Sequence, residues 1–240
     1  MTIGAGFICK DGIVVAADTQ ETTGYAGYLK GEKLKIDYSQ QGTWSIAIVG
    51  AGDSNYVEMC AQKILNSCAI TENSPCPTVH EIEAIGMEVF RTHFLPLNVY
   101  PANERPIASM LIAIQEKNGR TALVEWNGAS FVSYYPCKFI GAGEQMGSHL
   151  ARKVQLSNFF TNTALKVAGL AIYILDQVKA TVETCGGNTD VVILQNDGHV
   201  RRIYTGEVKR CEERYRRMDA AEVFSLTDKI VSDPPDIENF

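Results

Sequence analysis

Thr2, Asp18 and the lysines at 33 and 35 are the residues of this 240-residue chain whose types and spacing could do chemistry. A threonine hydroxyl attacks a carbonyl only when a base takes its proton, and a residue at a free amino terminus carries its own base, the α-amine. Loss of Met1 would give Thr2 that amine; while Met1 stays, the nitrogen is an amide and this route fails. A free α-amine has a pKa of roughly 7.7–8.0, so only a modest downward shift readies it at neutral pH. A lysine ammonium beside the amine supplies such a shift, at about 1.4 kcal/mol per pKa unit, and an aspartate keeps the lysine charged. A second feature is Gly50-Ala51-Gly52, since backbone N–H groups in a glycine turn at a helix start can face a developing oxyanion.

Each residue also has a plainer reading. Asp18 fits a turn cap with Thr19 and Gln20, the lysines fit solvated strand positions, and Gly50 and Gly52 fit the end of a strand. Cys185 beside Gly186-Gly187 lacks a histidine partner evident in the sequence and reads as structural; His80, His93, His149 and His199 are scattered. No metal-ligand cluster, phosphate loop or dinucleotide fingerprint is present, so neither metal nor cofactor is expected.

The elements that must position these groups are announced by turns and periodicity. Asp11-Gly12, Asn118-Gly119, Asn127-Gly128 and Asp197-Gly198 lie between β-prone runs and predict four hairpins. A two-residue turn at Asp11-Gly12 would set Thr2 opposite Glu21 and Asp18 opposite Ala5, close together but on opposite faces of the sheet by strict alternation. The strands at 13–17, 108–114, 123–126 and 191–194 are apolar on both faces, which asks for cover on both sides.

Helices are expected after a cap at Asp53 or Ser54, after the Thr78 to Glu81 capping box, from Glu144 to about Val154, and from about Asn162 to Glu183, the last apolar nearly all round. The charged run Lys209 to Arg217 also reads as a helix. This order predicts an α+β fold, a four-layer αββα sandwich of two antiparallel sheets with a helix pair outside each. One domain over residues 1–225 and a tail over 226–240 suffice.

Composition bounds the function. The net charge is −6, and scattered Lys and Arg leave no basic face for nucleic acid. No signal-like or membrane-length apolar run is present, so a cytoplasmic protein without a membrane partner is expected. Seven cysteines with no CxxC pair read as reduced core residues.

The segments TIGAGFICKDGIVVAADTQ, EKLKI, IAIVGAGDSN, FIGAGEQ and CGGNTDVVIL, in that order, resemble β-type subunits of the proteasome and the related bacterial ATP-dependent peptidase subunit, both N-terminal-nucleophile (Ntn) hydrolases. The resemblance implies the Ntn-hydrolase fold, Thr2 as nucleophile, Asp18 and Lys33 as its charge partners, and Gly52 as the oxyanion-hole donor. It further implies a threonine-type peptidase acting on polypeptides within a homo-oligomeric ring, with an unfoldase or cap as possible partner. Two departures stand out: Ala142 replaces a serine of the family pattern, and Val182 and Cys185 replace an aspartate and a serine, with Glu183 one position away from the missing acid. They keep two rivals open, a catalytically silent scaffold of the same fold and a small-molecule amidase.

Overall fold

The computed structural model describes residues 2–23, 27–69, 76, 78–101, 104–117, 119–128, 130–134, 136–154 and 157–217; Met1, Asn118 and the tail expected at 226–240 lie outside these. The chain begins as a hairpin of β1 (Ile3–Cys9) and β2 (Gly12–Asp18), followed by a short ribbon of β3 (Gln20–Thr23) and β4 (Gly27–Lys30). Then come β5 (Leu34–Tyr38), β6 (Trp44–Gly52), α1 (Ser54–Ala69) and α2 (Val79–Val89). A π turn and a 3-10 turn over Phe90–Val99 lead to β7 (Ala108–Glu116), β8 (Thr121–Trp126), β9 (Phe131–Ser133) and β10 (Cys137–Gly141). Helices α3 (Glu144–Lys153), α4 (Ser157–Thr161) and α5 (Ala164–Thr181) precede β11 (Thr189–Gln195), β12 (Val200–Ile203) and α6 (Thr205–Arg217).

Two antiparallel five-stranded sheets result, ordered β10-β1-β2-β11-β12 and β5-β6-β7-β8-β9. The expected sandwich follows from where their apolar side chains go. Ile13, Val15, Ala17, Val49, Leu111 and Leu123 fill the seam between the sheets. Ile3, Phe7, Val14 and Phe139 face away from it and pack under α3, α4, α5 and α6. On the far side Ile46, Ile48, Met110 and Ile112 pack under α1 and α2. The layers therefore run helix, sheet, sheet, helix. Instead of a pair, four helices among the described residues cover the first sheet, because α4 and the amphipathic α6 join α3 and α5 there.

Helix starts follow local chemistry. The Thr78 hydroxyl accepts from the Glu81 amide (3.1 Å) while Glu81 Oε2 accepts from the Thr78 amide (2.6 Å), completing the expected capping box, and Asp53 Oδ1 accepts from the Asn55 amide (3.1 Å) at the head of α1. α5 is apolar nearly all round because it is buried nearly all round: twelve of its eighteen residues are buried, including Asp176, which Arg216 of α6 holds at 3.1 and 2.5 Å. Cys9, Cys60, Cys76, Cys185 and Cys211 are buried and form no disulfides. Burial pushes the Cys60 thiol up to about 12, so it stays protonated.

All four expected hairpins form, but the first turns one position earlier than the Asp11-Gly12 reading, which shifts its cross-strand partners by two. Cys9 pairs with Gly12 and Gly4 with Ala17, so Lys10 and Asp11 make the turn. The reason is tertiary. Asp11 Oδ1 accepts the Ala164 amide (2.6 Å) at the start of α5, its carbonyl accepts the Asn196 amide (3.0 Å), and Gly12 lies inside the sheet, where a Cβ would stand 2.1 Å from the Leu194 carbonyl oxygen. Asp11 thus serves as a cap borrowed from a distant turn, since Thr163 makes no side-chain cap of its own. Asp11→Ala is expected to lower stability by about 1 kcal/mol and Asp11→Asn by much less, read from urea-unfolding midpoints at unchanged slope.

Candidate active site

Thr2 lies immediately before β1, at the mouth of the seam between the two sheets, and is 2% exposed. Ile3 pairs with Gly141 of β10, and the Gly143 amide donates to the Thr2 carbonyl (3.4 Å), so the first residues are held by the turn that leads into α3. Asp18 is the last residue of β2, paired with Thr189 of β11 and fully buried. Lys33 sits one residue ahead of β5 at the edge of the second sheet.

These three side chains meet. The Lys33 ammonium donates to Thr2 Oγ1 at 2.6 Å, to Asp18 Oδ1 at 2.8 Å and, by a short bond, to the Gln20 carbonyl. The Thr2 hydroxyl donates to Asp18 Oδ1 through another short bond. That same carboxylate oxygen accepts the Ile3 amide (3.1 Å), and Oδ2 accepts the Gly186 amide (2.9 Å). Alternation would have kept Thr2 and Asp18 on opposite faces. It does not bind them here because Thr2 precedes the strand and the β1–β2 pairing stops at Gly4 and Ala17, so the carboxylate reaches around the strand end.

Lys35 is excluded from this cluster by its own partner. It pairs with Glu58 of α1 at 2.8 Å in a solvent-facing position, whereas the Lys33 and Asp18 side chains are 8% and 0% exposed. The two lysines share a face, as their spacing requires, and both line the cleft; the difference lies in what each can reach.

The cleft beside Thr2 has a volume of about 460 Å³ and is lined by Thr2, Lys33, Lys35, Glu21, Glu32, Glu58 and the turn from Gly50 to Asn55 that joins β6 to α1. Gly52 lies in that wall with φ +114°, and a Cβ there would stand 1.9 Å from the Ile107 carbonyl oxygen, so the position admits only glycine without rearrangement. The amino terminus of the sixteen-residue α1 opens directly behind it.

The departures from the family pattern take up definite places. Ala142 is exposed in the turn next to Gly143 and brings no hydroxyl to Thr2. Val182 caps the C-terminus of α5, and Glu183 is exposed. Cys185 is buried, and burial together with the nearby Asp18 carboxylate pushes its thiol up to about 11, which suits a structural residue rather than a nucleophile. Spacing gave no sign of the Gly186 amide on Asp18 or the Gln20 carbonyl on Lys33, since backbone groups carry no sequence signature beyond the glycines themselves. Among the described residues no group of His, Cys, Asp and Glu could hold a metal ion, and no helix is long and apolar enough to cross a membrane.

No protein-family model matches the chain, and no curated protein does. Solved structures do. A Gly-1 mutant of Anbu from Hyphomicrobium sp. strain MC1 superimposes with a TM-score of 0.73 at 19% identity, over 100% of this chain and 99% of that one. Anbu from Yersinia bercovieri, described as an ancestral beta-subunit, gives 0.72 at 14% identity over 95% and 97%. Anbu from Pseudomonas aeruginosa, solved as a helical assembly, gives 0.70 at 15% identity over 98% and 100%. These values establish a shared fold along the whole chain.

They also correct the resemblance to proteasome β-type subunits: these similar structures are Anbu proteins. The segments that carried the resemblance explain the error. They form β1, β2, β6, β10, β11 and the approach to β5, the parts of the two sheets that surround Thr2, and so cannot separate relatives that share those sheets.

The burial difference between the two lysines yields a test independent of any activity. Lys33→Met leaves the Asp18 carboxylate buried without its cation and is expected to cost about 3–5 kcal/mol, while Lys35→Met breaks only an exposed pair worth up to about 1 kcal/mol. Denaturant unfolding of both variants checks the contrast.

Proposed function

We propose that this chain is a threonine-type Ntn hydrolase that cleaves amide bonds in polypeptides, with Thr2 as nucleophile. The observation that carries the reading is the Lys33 ammonium lying 2.6 Å from Thr2 Oγ1 and 2.8 Å from Asp18 Oδ1 at the wall of a cleft. Loss of Met1 frees the Thr2 amine, which takes the proton as Oγ1 attacks the peptide carbonyl. The proton passes to the leaving amine, the substrate's acyl group stays on Oγ1 as an ester, and water then releases it.

Lys33 stabilises negative charge on Oγ1 and disfavours the charged form of the amine; Asp18 keeps Lys33 charged and fixed. The Gly52 amide, in a backbone conformation that only glycine adopts freely, faces the oxyanion, with the start of α1 adding its dipole. The cleft beside the nucleophile receives the substrate's side chains.

The chain works in this reading as a homo-oligomer. Head-to-tail contacts between identical copies close into a ring when the rotation per subunit closes and form an open helix when it does not. The helical assembly of the Pseudomonas aeruginosa Anbu complex makes the open form the one to look for.

A second reading, a silent scaffold, is favoured by one observation: Ala142 offers no hydroxyl in the turn beside Thr2, where it would help orient the amine. The two readings part on a single experiment. Intact mass of the purified protein is expected to show loss of Met1, and a threonine-directed acylating electrophile is expected to add once per chain. That adduct should disappear in Thr2→Ala, persist in Thr2→Ser, and form about 10²–10³-fold more slowly when the oxyanion donor is disturbed in Gly52→Ala. A retained Met1, or an adduct that survives in Thr2→Ala, selects the scaffold.

A further inference from the structure

Behind Asp18, on the side away from the cleft, lies a buried polar cluster that the proposed reaction does not use directly. Lys179, in the last turn of α5, directs its ammonium to Glu212 Oε1 of α6 (2.6 Å), Thr189 Oγ1 of β11 (2.7 Å) and the Gly187 carbonyl (3.3 Å). Thr189 closes the cluster by donating to Glu212 Oε1 at 2.9 Å. The side chains of Lys179 and Glu212 are 8% and 9% exposed, and Thr189 is 1% exposed.

A buried ion pair is seldom retained for stability, since an apolar pair of similar volume does as well or better. This one does something an apolar pair cannot: an ammonium has three protons, and here the third grips a backbone carbonyl of the Gly186-Gly187 turn. Two glycines in succession are the most mobile backbone a chain can have, and Gly187 holds φ +74°. Gly186 in turn donates its amide to Asp18 Oδ2 (2.9 Å), while Asp18 Oδ1 faces Thr2 and Lys33. The terminal torsion of an aspartate is broad, so without a donor on Oδ2 the carboxylate is held through Oδ1 alone and its angle to the nucleophile is less tightly set.

We propose that Lys179 is a positioning residue: with Glu212 and Thr189 it holds the Gly186-Gly187 turn so that the Gly186 amide fixes the Asp18 carboxylate against Thr2 and Lys33. Its effect on reaction rate rests on the reading of Thr2 as nucleophile; its effect on the Gly186 amide does not. Thr19 and Gln20 also brace the turn, through Gln20 N to Gly186 O (3.1 Å) and Asn188 N to Thr19 Oγ1 (2.9 Å), so loosening rather than collapse follows when Lys179 is lost.

The test uses the full chain and three variants. Lys179→Met/Glu212→Gln removes both charges together, which avoids leaving one buried alone. Thr189→Val removes only a hydroxyl, and Thr189→Ser restores it. Two readouts are taken on each: hydrogen exchange at the Gly186 amide, and the rate constant and half-saturation concentration for acylation of Thr2 by the electrophile.

In Lys179→Met/Glu212→Gln the Gly186 amide is expected to exchange about tenfold faster than in the parent. The acylation rate constant should fall by about tenfold to a hundredfold, with half-saturation changed by less than about twofold. Thr189→Val should move both readouts the same way and Thr189→Ser should return them, which also decides the matter if the double variant fails to fold. Unchanged Gly186 exchange, a change confined to half-saturation, or a loss in Thr189→Ser equal to that in Thr189→Val would overturn the proposal. If the parent protein does not react at all, the enzyme reading fails, and Gly186 exchange alone still decides whether Lys179 holds the turn.

Discussion

One buried ammonium organises the polar contacts at the mouth of this molecule's cleft. Lys33 comes from the edge of one sheet, Thr2 and Asp18 from the rim of the other, and its ammonium donates to oxygens of Thr2, Asp18 and Gln20. An ammonium so far out of water is tolerable only with a counter-charge and hydrogen-bond acceptors in place, and Asp18 with no solvent exposure is under the same constraint. Each ion therefore specifies where the other must be. The Thr2 hydroxyl lies between them because both of its hydrogen-bonding roles, donor to Asp18 and acceptor from Lys33, are used there.

The two sheets have to come close for that contact to exist. Gly4 and Gly6, on the face of β1 that looks into the seam, lie so near the second sheet that an added Cβ would stand 2.4 Å from a methyl of Val49 and 2.5 Å from one of Leu123. Larger residues would prop the layers apart at the end of the seam where Thr2 sits, and Lys33 would fall short. Farther along, Ile13, Val15, Leu111 and Val192 fill the same seam with bulk, so the sandwich is densely packed at its middle and narrow at the mouth. The cleft opens at that mouth, walled by the β6–α1 turn.

Much of this was legible in the chain. Turn dipeptides and apolar runs located the hairpins, the Thr78–Glu81 pair fixed the start of α2, and an all-apolar stretch ending at two glycines marked the buried α5, because each is a local preference visible in a few consecutive residues. The register of the first hairpin was not legible: Asp-Gly is a strong turn signal, yet here a helix start 153 residues away takes the aspartate's carboxylate, and the glycine is drawn into the sheet as the partner of Gln195 on a neighbouring strand. Ribbon β3–β4 escaped for the opposite reason, since four residues are too few for a period to show.

The sequence by itself determined which residue types are available for attack, charge pairing and oxyanion stabilisation, and that two covered sheets would carry them, because composition and periodicity are properties of the chain. Residue type and spacing left Lys33 and Lys35 both open, with only the resemblance favouring Lys33, and set Thr2 and Asp18 on opposite faces. Only the tertiary structure decided both points: Glu58 on α1 engages one lysine while the site receives the other, and the β1–β2 ladder ends before Thr2, freeing it from alternation. The physical reason is the same in each case. A side chain's partner is set by which distant elements pack beside it, and that packing is decided by the whole core rather than by neighbours in sequence.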